Sequence, residues 1–271
     1  MTFQHFLIWG IHEAFDNGLL RTVLARGSFG EVGRAALIGC AFALCIILPY
    51  LLGSVNFALV ISRVFYHDDI RKHGSGNAGA TNMWRTYGFG AFAASFLCDG
   101  FKGVVSILFA CLVFGHPEAE GLFFLQVTAC YLAMFFCIIG HVFPCFSHFR
   151  GGKGIATVAL CIVVLNPAAF VLLFPLYIVL VALTRYISFG SVVCILLYPL
   201  VVSALDGMTV HYGVNTIFAF LIAMLITWCH RENIKRIMNR TERKLTFGKK
   251  KAAAATSETP SAASEADEEQ A

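Results

Sequence analysis

The chain has 271 residues, of which 58% are hydrophobic and only 13% are charged, and its formal net charge is +4. Several uncharged runs reach the length of about 20 residues with which a helix crosses a bilayer, so the composition excludes a soluble globular domain. We therefore predict an all-α integral membrane protein. The sign of the charge on each loop is then more informative about its topology than the net charge of the chain.

Residues 1–34 form a leader whose charges are mixed in sign. It is too charged for the core of a signal peptide, and we predict a short surface helix there. Residues 35–62 contain no charged side chain, and a helix of about 28 residues would be about 42 Å long, more than one bilayer core. Its second half contains Gly53, Ser54 and Asn56, and we expect it to project from the hydrocarbon or to face other helices.

Residues 71–88 form the longest polar stretch between the first and last apolar runs. Glycine permits conformations that turn successive N–H groups toward one point, and a helix beginning near Thr81 would add its positive end. The stretch is therefore typical of an anion-binding loop, with an ordinary flexible loop as the alternative. Its glycines, small polar residues and cations are Gly74, Gly76, Gly79, Ser75, Asn77, Thr81, Asn82, Arg71, Lys72 and Arg85.

The second apolar run, residues 89–115, contains two opposite charges, Asp99 and Lys102, at a spacing that places them on one helical face. They form either a structural ion pair within a helix bundle or part of a catalytic site, because ionisable groups inside a membrane are functional candidates. The third run covers residues 121–140 and ends at His141.

A second polar insertion, residues 140–157, places two cations among glycines: Arg150, Gly151, Gly152, Lys153 and Gly154. Lysine binds phosphate as a point charge and arginine as a planar fork, so the pair suits a phosphate monoester. Ordinary flanking charges of a membrane span would explain the cations but not the glycines around them.

Residues 154–184 contain no charge, but Asn166 and Pro167 interrupt them. Two short spans with a reversal at this pair fit better than one long helix. With further spans at residues 189–205 and from about residue 214, the chain has seven. Every basic loop then falls on one face, which the positive-inside rule makes cytoplasmic, with the N-terminus outside and the C-terminus inside.

Residues 230–245 are strongly basic, and the residues after them have no apolar pattern. We therefore predict a leader (1–34), a membrane domain (35–245) and a disordered tail (246–271). The polar segments gather on one face, which favours an enzyme that joins a water-soluble anion to a lipid chain. The alternatives are a transporter, expected to carry polar groups near the bilayer midplane, and a non-catalytic scaffold.

Six segments occur in the same order and at similar spacing in a known family: GSVNFALVISR, DIRKHGSGNAGATNMWRTYG, DGFKG, GHVFPCFSHFRGGKGIAT, RYIS and HRENIKRIMNRTE. In these segments the chain resembles the bacterial acyl-phosphate:glycerol-3-phosphate acyltransferases (PlsY type). The resemblance covers about residues 40–245, and the combination is far more specific than any one glycine motif.

The resemblance implies a seven-helix enzyme of the bacterial cytoplasmic (inner) membrane with its active site facing the cytoplasm. It would transfer a fatty acyl group from acyl phosphate to the sn-1 hydroxyl of glycerol 3-phosphate, giving lysophosphatidate and inorganic phosphate in the first step of phospholipid synthesis. It implies no cofactor, metal or nucleic acid. The partners would be the two substrates, the bilayer and, through a functional link, the enzyme that makes acyl phosphate.

The resemblance and the loop patterns together give the candidate site residues. The catalytic candidates are Ser75, Lys153, His230 and Asn233. The substrate-binding candidates are Ser54, Arg71, Gly76, Asn77, Gly79, Thr81, Asn82, Arg85, His141, Arg150, Gly151, Gly152, Gly154, Ser188 and Arg231.

Two chemical alternatives stay open, and two positions depart from the family pattern. The proton of the attacking hydroxyl goes either to His230 or to a phosphate oxygen of the donor, and Ser75 as a covalent acyl carrier is the alternative to direct transfer. Asn56 replaces a family proline, which we expect to straighten the first helix. Arg240 replaces a glycine, which puts a tight turn in doubt.

Overall fold

The computed structural model describes residues 18–115, 120–206 and 213–245. The first half of the leader and the whole tail lie outside the described residues, and the domain limits stay predictions. The described part contains no strand, so the all-helical prediction is confirmed. Its α-helices, in chain order, are α1 Leu19–Arg26, α2 Glu31–Ser54, α3 Phe57–Tyr66, α4 Ala80–Tyr87, α5 Phe89–Phe114, α6 Glu120–Val142, α7 Ile155–Leu165, α8 Pro167–Thr184, α9 Ile187–Asp206, α10 Val214–Cys229 and α11 Arg231–Met238.

Within the described ranges, five stretches are long and apolar enough to cross a membrane: Glu31–Tyr66, Phe89–Phe114, Phe124–Ser147, Pro167–Thr184 and Ile187–Leu205. Helices α10 and α11, bent by 58°, form a sixth when they are taken together. Helix α7 has only 11 residues, or about 16 Å of length, and falls short of that criterion. Seven crossings and the sides of the two termini therefore stay predictions.

The first apolar run is interrupted near its end. Helix α2 ends at Ser54 and α3 begins at Phe57, and Asn56 caps α3 by accepting a hydrogen bond from the backbone N–H of Leu59 at 3.0 Å. The side-chain amide of Asn56 donates to the carbonyl oxygen of Ala78, also at 3.0 Å. Asparagine therefore caps a new helix here and does not continue the old one, and the expectation that Asn56 straightens the run stays a prediction.

The predicted helix break at Asn166 is confirmed, and the reversal of the chain there stays a prediction. Helix α7 ends at Leu165, and α8 begins with Pro167 in the first-turn position that proline tolerates. The side-chain oxygen of buried Asn166 accepts hydrogen bonds from the hydroxyls of Tyr131 at 2.8 Å and Tyr198 at 2.6 Å. These tyrosines belong to α6 and α9, so the turn is fastened to the interior of the bundle.

Apolar side chains of α1, α2 and α5 to α10 form one continuous core, within which α2 and α6 approach closely through glycine. A Cβ atom on Gly53 would lie 2.1 Å from the carbonyl oxygen of Cys137, and one on Gly140 would lie 2.2 Å from that of Tyr50. Small residues let membrane helices come this close. The contact places the end of α2 beside the end of α6, where the second polar loop begins.

Candidate active site

Polar segments that are distant in the sequence meet at one end of the helix bundle. They are residues 67–87, 143–154, 185–188 and 230–245. Side-chain hydrogen bonds join them in the pairs Lys153–Asn233, Ser188–Glu242 and Arg85–Arg243. The tertiary structure therefore gathers the segments that the sequence analysis assigned to one site.

The first glycine loop, residues 67–79, is held by one side chain of α4, that of Asn82. Its side-chain oxygen accepts a hydrogen bond from the backbone N–H of Ser75 at 3.0 Å. Its amide nitrogen lies 3.0 to 3.1 Å from the carbonyl oxygens of Ile70, His73 and Asn77. Because its polar atoms are used within the loop, Asn82 shapes the loop, and its contact with substrate stays a prediction.

Other candidates of this loop are free to contact a ligand. Gly76 has a φ of +70°, a conformation that favours glycine, and Gly79 is the N-cap residue of α4. Ser75 is exposed, while Asn77 and Thr81 are half-buried. Helix α4 begins at Ala80, as the predicted start near Thr81 requires, and its N-terminus faces the loop.

The second glycine loop, residues 143–154, lies tightly against the end of α6. A Cβ atom on Gly151 would lie 2.0 Å from the carbonyl oxygen of His141, and one on Gly152 would lie 2.1 Å from the ring nitrogen Nε2 of His141 and 2.8 Å from the carbonyl oxygen of Ala78. Gly154 has a φ of +81° and precedes α7. These glycines therefore allow the second loop to lie between His141 and the first loop.

A pocket of about 570 Å³ opens between the two loops. It is lined by Arg71, Gly76, His148, Arg150 and Gly151. The Arg71 guanidinium donates to both carboxylate oxygens of Asp69, at 2.9 and 2.6 Å, and holds the pKa of Asp69 well below its usual range. Because Asp69 neutralises part of the Arg71 charge, Arg150 is the cation of this pocket that is more available to bind an anion.

Lys153 lies at the centre of the second group of candidates. Its ammonium donates to the side-chain oxygen of Asn233, whose amide nitrogen donates to the carboxylate of Glu242 at 2.7 Å. Burial and, to a lesser extent, the positive charge of Arg236 lower the pKa of Lys153 to about 8. A partly desolvated ammonium with one neutral partner has further N–H groups for an anion.

Glu242 is a site residue that the sequence analysis missed. Its carboxylate accepts hydrogen bonds of 2.7 Å from Ser188, Asn233 and Arg236. Burial raises the pKa of Glu242, but these hydrogen bonds outweigh burial and leave the pKa lowered. Its only sequence signal is a carboxylate in a basic segment, and exposed Glu232 has the same signal.

In the described part of the chain, no three His, Cys, Asp or Glu side chains form a metal-binding group.

His230 and Arg231 follow each other but have different surroundings. His230 is buried, and its Nδ1 lies 2.8 Å from the carbonyl oxygen of Ile226. Because a carbonyl only accepts, Nδ1 carries the proton and Nε2 has the lone pair. Arg231 lies over the ring of Trp228, 4.2 Å from its centroid, and donates to its carbonyl oxygen. The structure therefore shows Arg231 in contact with Trp228, and its binding to substrate stays a prediction.

Ser54 and His141 contact neighbouring elements rather than the pocket. The Ser54 hydroxyl donates to the carbonyl oxygen of Tyr50 at 2.9 Å and accepts from the backbone N–H of Cys145 at 3.3 Å. The ring nitrogen Nδ1 of His141 lies 2.9 Å from the ammonium of Lys102. Both residues hold the second loop in place.

The turn at Arg240 forms although the family glycine is missing. Arg240 has a φ of +57°, and the backbone N–H of Thr241 donates to the carbonyl oxygen of Arg236 at 2.8 Å. The left-handed conformation costs a residue with a side chain about 1–2 kcal/mol. The doubt about this turn is therefore resolved: it exists, it is strained, and it directs Glu242 inward.

Comparison with known proteins identifies the family to which this chain belongs. The family described as glycerol-3-phosphate acyltransferase matches residues 43–240. The glycerol-3-phosphate acyltransferases of Halalkalibacterium halodurans and Syntrophomonas wolfei are 40% and 38% identical to this chain, covering 77% and 75% of it and 96% and 97% of those proteins. The crystal structure of PlsY, an integral membrane glycerol 3-phosphate acyltransferase in its glycerol 3-phosphate form, matches with a TM-score of 0.66 and 27% identity, covering 76% of this chain and 96% of PlsY. The resemblance predicted from the motifs is confirmed, and the chain belongs to the glycerol-3-phosphate acyltransferase family of integral membrane enzymes.

Proposed function

We propose that this glycerol-3-phosphate acyltransferase takes its acyl group from acyl phosphate and gives lysophosphatidate and inorganic phosphate. The observation that carries the proposal is the presence of two cationic positions beside two glycine loops, one at Arg71 and Arg150 and one at Lys153. Two substrates that both carry phosphate need two such positions. The solved relative is described in a glycerol 3-phosphate form and a lysophosphatidic acid form, which supports the acceptor and the product.

The chemistry requires positioning more than activation. The sn-1 hydroxyl oxygen of glycerol 3-phosphate attacks the acyl carbonyl carbon, and the bond from that carbon to the phosphate oxygen breaks. Acyl phosphate is already activated, so the enzyme must mainly hold two anions together and stabilise the negative charge of the departing phosphate. Lys153, Arg150 and the N–H groups of the glycine loops are suited to that task.

Direct transfer explains the site better than a covalent intermediate on Ser75. A serine nucleophile needs a base within hydrogen-bond reach. Among the described residues, no histidine or carboxylate forms a hydrogen bond with the Ser75 hydroxyl, and the serine lies on the exposed side of its loop. We therefore assign Ser75 to phosphate binding.

The departing phosphate is the better acceptor for the hydroxyl proton than His230. His230 is only 3% exposed and feels the positive charge of Lys153. Protonation would place a second buried cation beside the first, which both desolvation and repulsion oppose. A leaving phosphate gains negative charge in the same step and can take the proton. Neutral His230 then acts as a hydrogen-bond acceptor for a substrate hydroxyl.

We place this site at the cytoplasmic side of the bacterial inner membrane. The support is the charge asymmetry of the sequence: the segments that meet at the site carry the basic residues, and the connections predicted on the other face contain Glu118, Glu120 and Asp206 but no Lys or Arg. Glycerol 3-phosphate would reach such a site from the water phase and the acyl chain from the bilayer. A functional link to the enzyme that makes acyl phosphate follows from the choice of donor.

The test supplies purified protein in lipid or detergent with glycerol 3-phosphate and, in separate assays, with acyl phosphate or acyl-CoA. We expect equal amounts of inorganic phosphate and lysophosphatidate from acyl phosphate and no product from acyl-CoA. Lys153→Ala and His230→Ala should each lower the rate by about 10²-fold. Turnover with acyl-CoA alone would refute the proposed donor.

The matched control is Lys235→Ala. This lysine lies on the same C-terminal segment, but its side chain is 70% exposed, and its ion pair within the described residues is with Glu232. Its removal should leave turnover unchanged, since exposed ion pairs contribute little. Near-normal turnover of both Lys153→Ala and His230→Ala would contradict the site assignment.

A further inference from the structure

The ammonium of Lys102 is buried among acceptors from three helices. The side chain of this α5 residue is 1% exposed. Its Nζ lies 2.9 Å from the carbonyl oxygen of Gly53, 2.7 Å from that of Val55, and 2.9 Å from a carboxylate oxygen of Asp99. It also lies 2.9 Å from Nδ1 of His141. An ion pair with Asp99 would explain the carboxylate contact but not the contacts with Gly53, Val55 and His141.

Lys102 and Asp99 together form hydrogen bonds with the backbone groups that the break between α2 and α3 leaves unpaired. The last carbonyl groups of a helix have no partners within it, and Lys102 supplies N–H donors to two of them. The first N–H groups of the next helix are equally unpaired, and the backbone N–H of Phe57 donates to Asp99 at 3.2 Å. One opposite-charge pair therefore satisfies both ends of the interruption, as helix dipoles favour.

The same ammonium orients the second glycine loop through His141. Nδ1 of His141, which lies 2.9 Å from the ammonium, is also 3.4 Å from the Asp99 carboxylate, so the Lys102–Asp99 pair holds this side of the ring. The other ring nitrogen, Nε2, is the atom a Cβ on Gly152 would meet at 2.1 Å. The direction of the His141 ring therefore limits where Gly152 and the following Lys153 lie.

The first glycine loop is attached to the same break. Asn56, inside the break, donates to the carbonyl oxygen of Ala78 at 3.0 Å. The carbonyl oxygen of Ala78 is also the second atom near the Cβ position of Gly152, at 2.8 Å. The break between α2 and α3 and the two glycine loops therefore meet within a few ångströms of one another. Lys102 contacts the break directly and the second loop through His141.

We propose that Lys102, assisted by Asp99, is a positioning residue that sets the distance between the two phosphate-binding loops. It contacts the backbone of the helix break and the His141 ring, and it acts on substrate only through the loops that these hold. This inference rests on the assignment of the loops to phosphate binding. Its consequence is measurable: loss of Lys102 weakens substrate binding although no substrate touches it.

The decisive variant is the pair Asp99→Asn with Lys102→Met. Lys102→Met alone leaves a buried carboxylate without its partner, which destabilises a protein for reasons unrelated to the loops. The double substitution removes both charges together and still removes the donors to Gly53, Val55 and His141. The measurements are the dissociation constant of glycerol 3-phosphate by calorimetry, KM and kcat, and thermal unfolding in detergent.

We expect the double variant to fold and to bind glycerol 3-phosphate about 10- to 100-fold more weakly, with the larger change in KM and the smaller in kcat. A folded double variant with the wild-type dissociation constant would overturn the inference. Tyr198→Phe is the matched control, because it removes a buried hydrogen bond to Asn166 at 2.6 Å in a part of the bundle that none of these loop contacts involves. Its dissociation constant should equal that of the wild type.

A second pair of variants tests the same inference if the double variant does not fold. His141→Asn keeps a hydrogen-bonding group near the position of Nδ1, and His141→Leu removes it. Binding retained in the asparagine variant and lost in the leucine variant supports the link from Lys102 to the loop, and equal binding in both overturns it. Wild-type protein that does not bind glycerol 3-phosphate would instead refute the phosphate assignment on which the inference rests.

Discussion

The loop of residues 67–79 and the loop of residues 143–154 both bring glycines and cations to the site, and they keep their shapes by different means. In the first loop, Gly74 and Gly76 adopt positive φ angles, and the Asn82 side chain bonds to four backbone groups. In the second, Gly151 and Gly152 lie in contact with the backbone and ring of His141. At Gly76 glycine is needed for conformation alone, whereas at Gly151 and Gly152 it is needed for close approach.

This difference predicts that one substitution has unequal effects in the two loops. An added methyl group at a contact glycine must displace a neighbour, whereas at a conformational glycine it adds backbone strain. The cost of displacement depends on whether that neighbour can move. The His141 ring cannot move freely, because Lys102 holds its other nitrogen.

Gly152→Ala should have the largest effect. Its Cβ atom would lie 2.1 Å from His141 Nε2 and 2.8 Å from the Ala78 carbonyl oxygen, so the two loops must separate. A displacement of this kind near reacting groups costs about 10²-fold in rate. We expect kcat/KM, measured by phosphate release, to fall by at least about that factor.

The matched control for Gly152→Ala is Gly76→Ala. A Cβ atom on Gly76 would find its nearest neighbour, the Arg71 carbonyl oxygen, at an ordinary 3.5 Å. Only the strain of a φ of +70° remains, about 1–2 kcal/mol, and we expect a clearly smaller loss of activity. Equal losses in the two variants would contradict the distinction between the loops.

Asn82→Ala should have the next largest effect. The substitution leaves the Ser75 N–H and three loop carbonyl oxygens without their shared partner, so the first loop loses its defined shape. We expect kcat/KM to fall about 10- to 100-fold, mainly through a higher KM. Calorimetry showing wild-type affinity for glycerol 3-phosphate would mean that the loop keeps its shape without Asn82.

The pH dependence of substrate binding tests the second loop. The pKa of Lys153 is lowered to about 8, so the cation is present below pH 8 and is lost as the pH rises above it. We expect KM for the phosphate substrate that Lys153 contacts to rise up to about tenfold per pH unit above 8. The measurement is KM from pH 6.5 to 9.5 at constant ionic strength.

Lys153→Arg is the control for this profile. A guanidinium does not titrate in this range, so the rise above pH 8 should disappear even if the variant is slower than the wild type. A rise that persists in Lys153→Arg would assign the titration to another group.

Arg240→Gly should have the smallest effect, and its sign is favourable. Glycine adopts the φ of +57° at this turn without the strain that arginine bears, so we expect a gain of up to about 1 kcal/mol in stability. Asn239→Gly is the control, because Asn239 has a φ of −83° and glycine there should lower the thermal unfolding temperature. A fall in both variants would refute the strain assigned to Arg240.

Local patterns made much of the molecule predictable. The helical spans follow from uninterrupted apolar runs, and the break at Asn166 follows from a proline that cannot continue a helix. The start of α4 follows from the glycine loop before it. The contact of Asn56 with the carbonyl oxygen of Ala78 was not predicted, because Ala78 lies 22 residues away and no local pattern contains that contact.

The sequence by itself determined the helical membrane class, the family and the segments that form the site, because hydropathy, glycine and charge are properties of neighbouring residues. Only the tertiary structure decided the role of each polar group. It turned Glu242 inward and left Glu232 outside, engaged Arg231 with Trp228, and used Asn82 to hold a loop. These outcomes depend on which donors and acceptors burial leaves within about 3 Å of each other, and chain folding sets those distances.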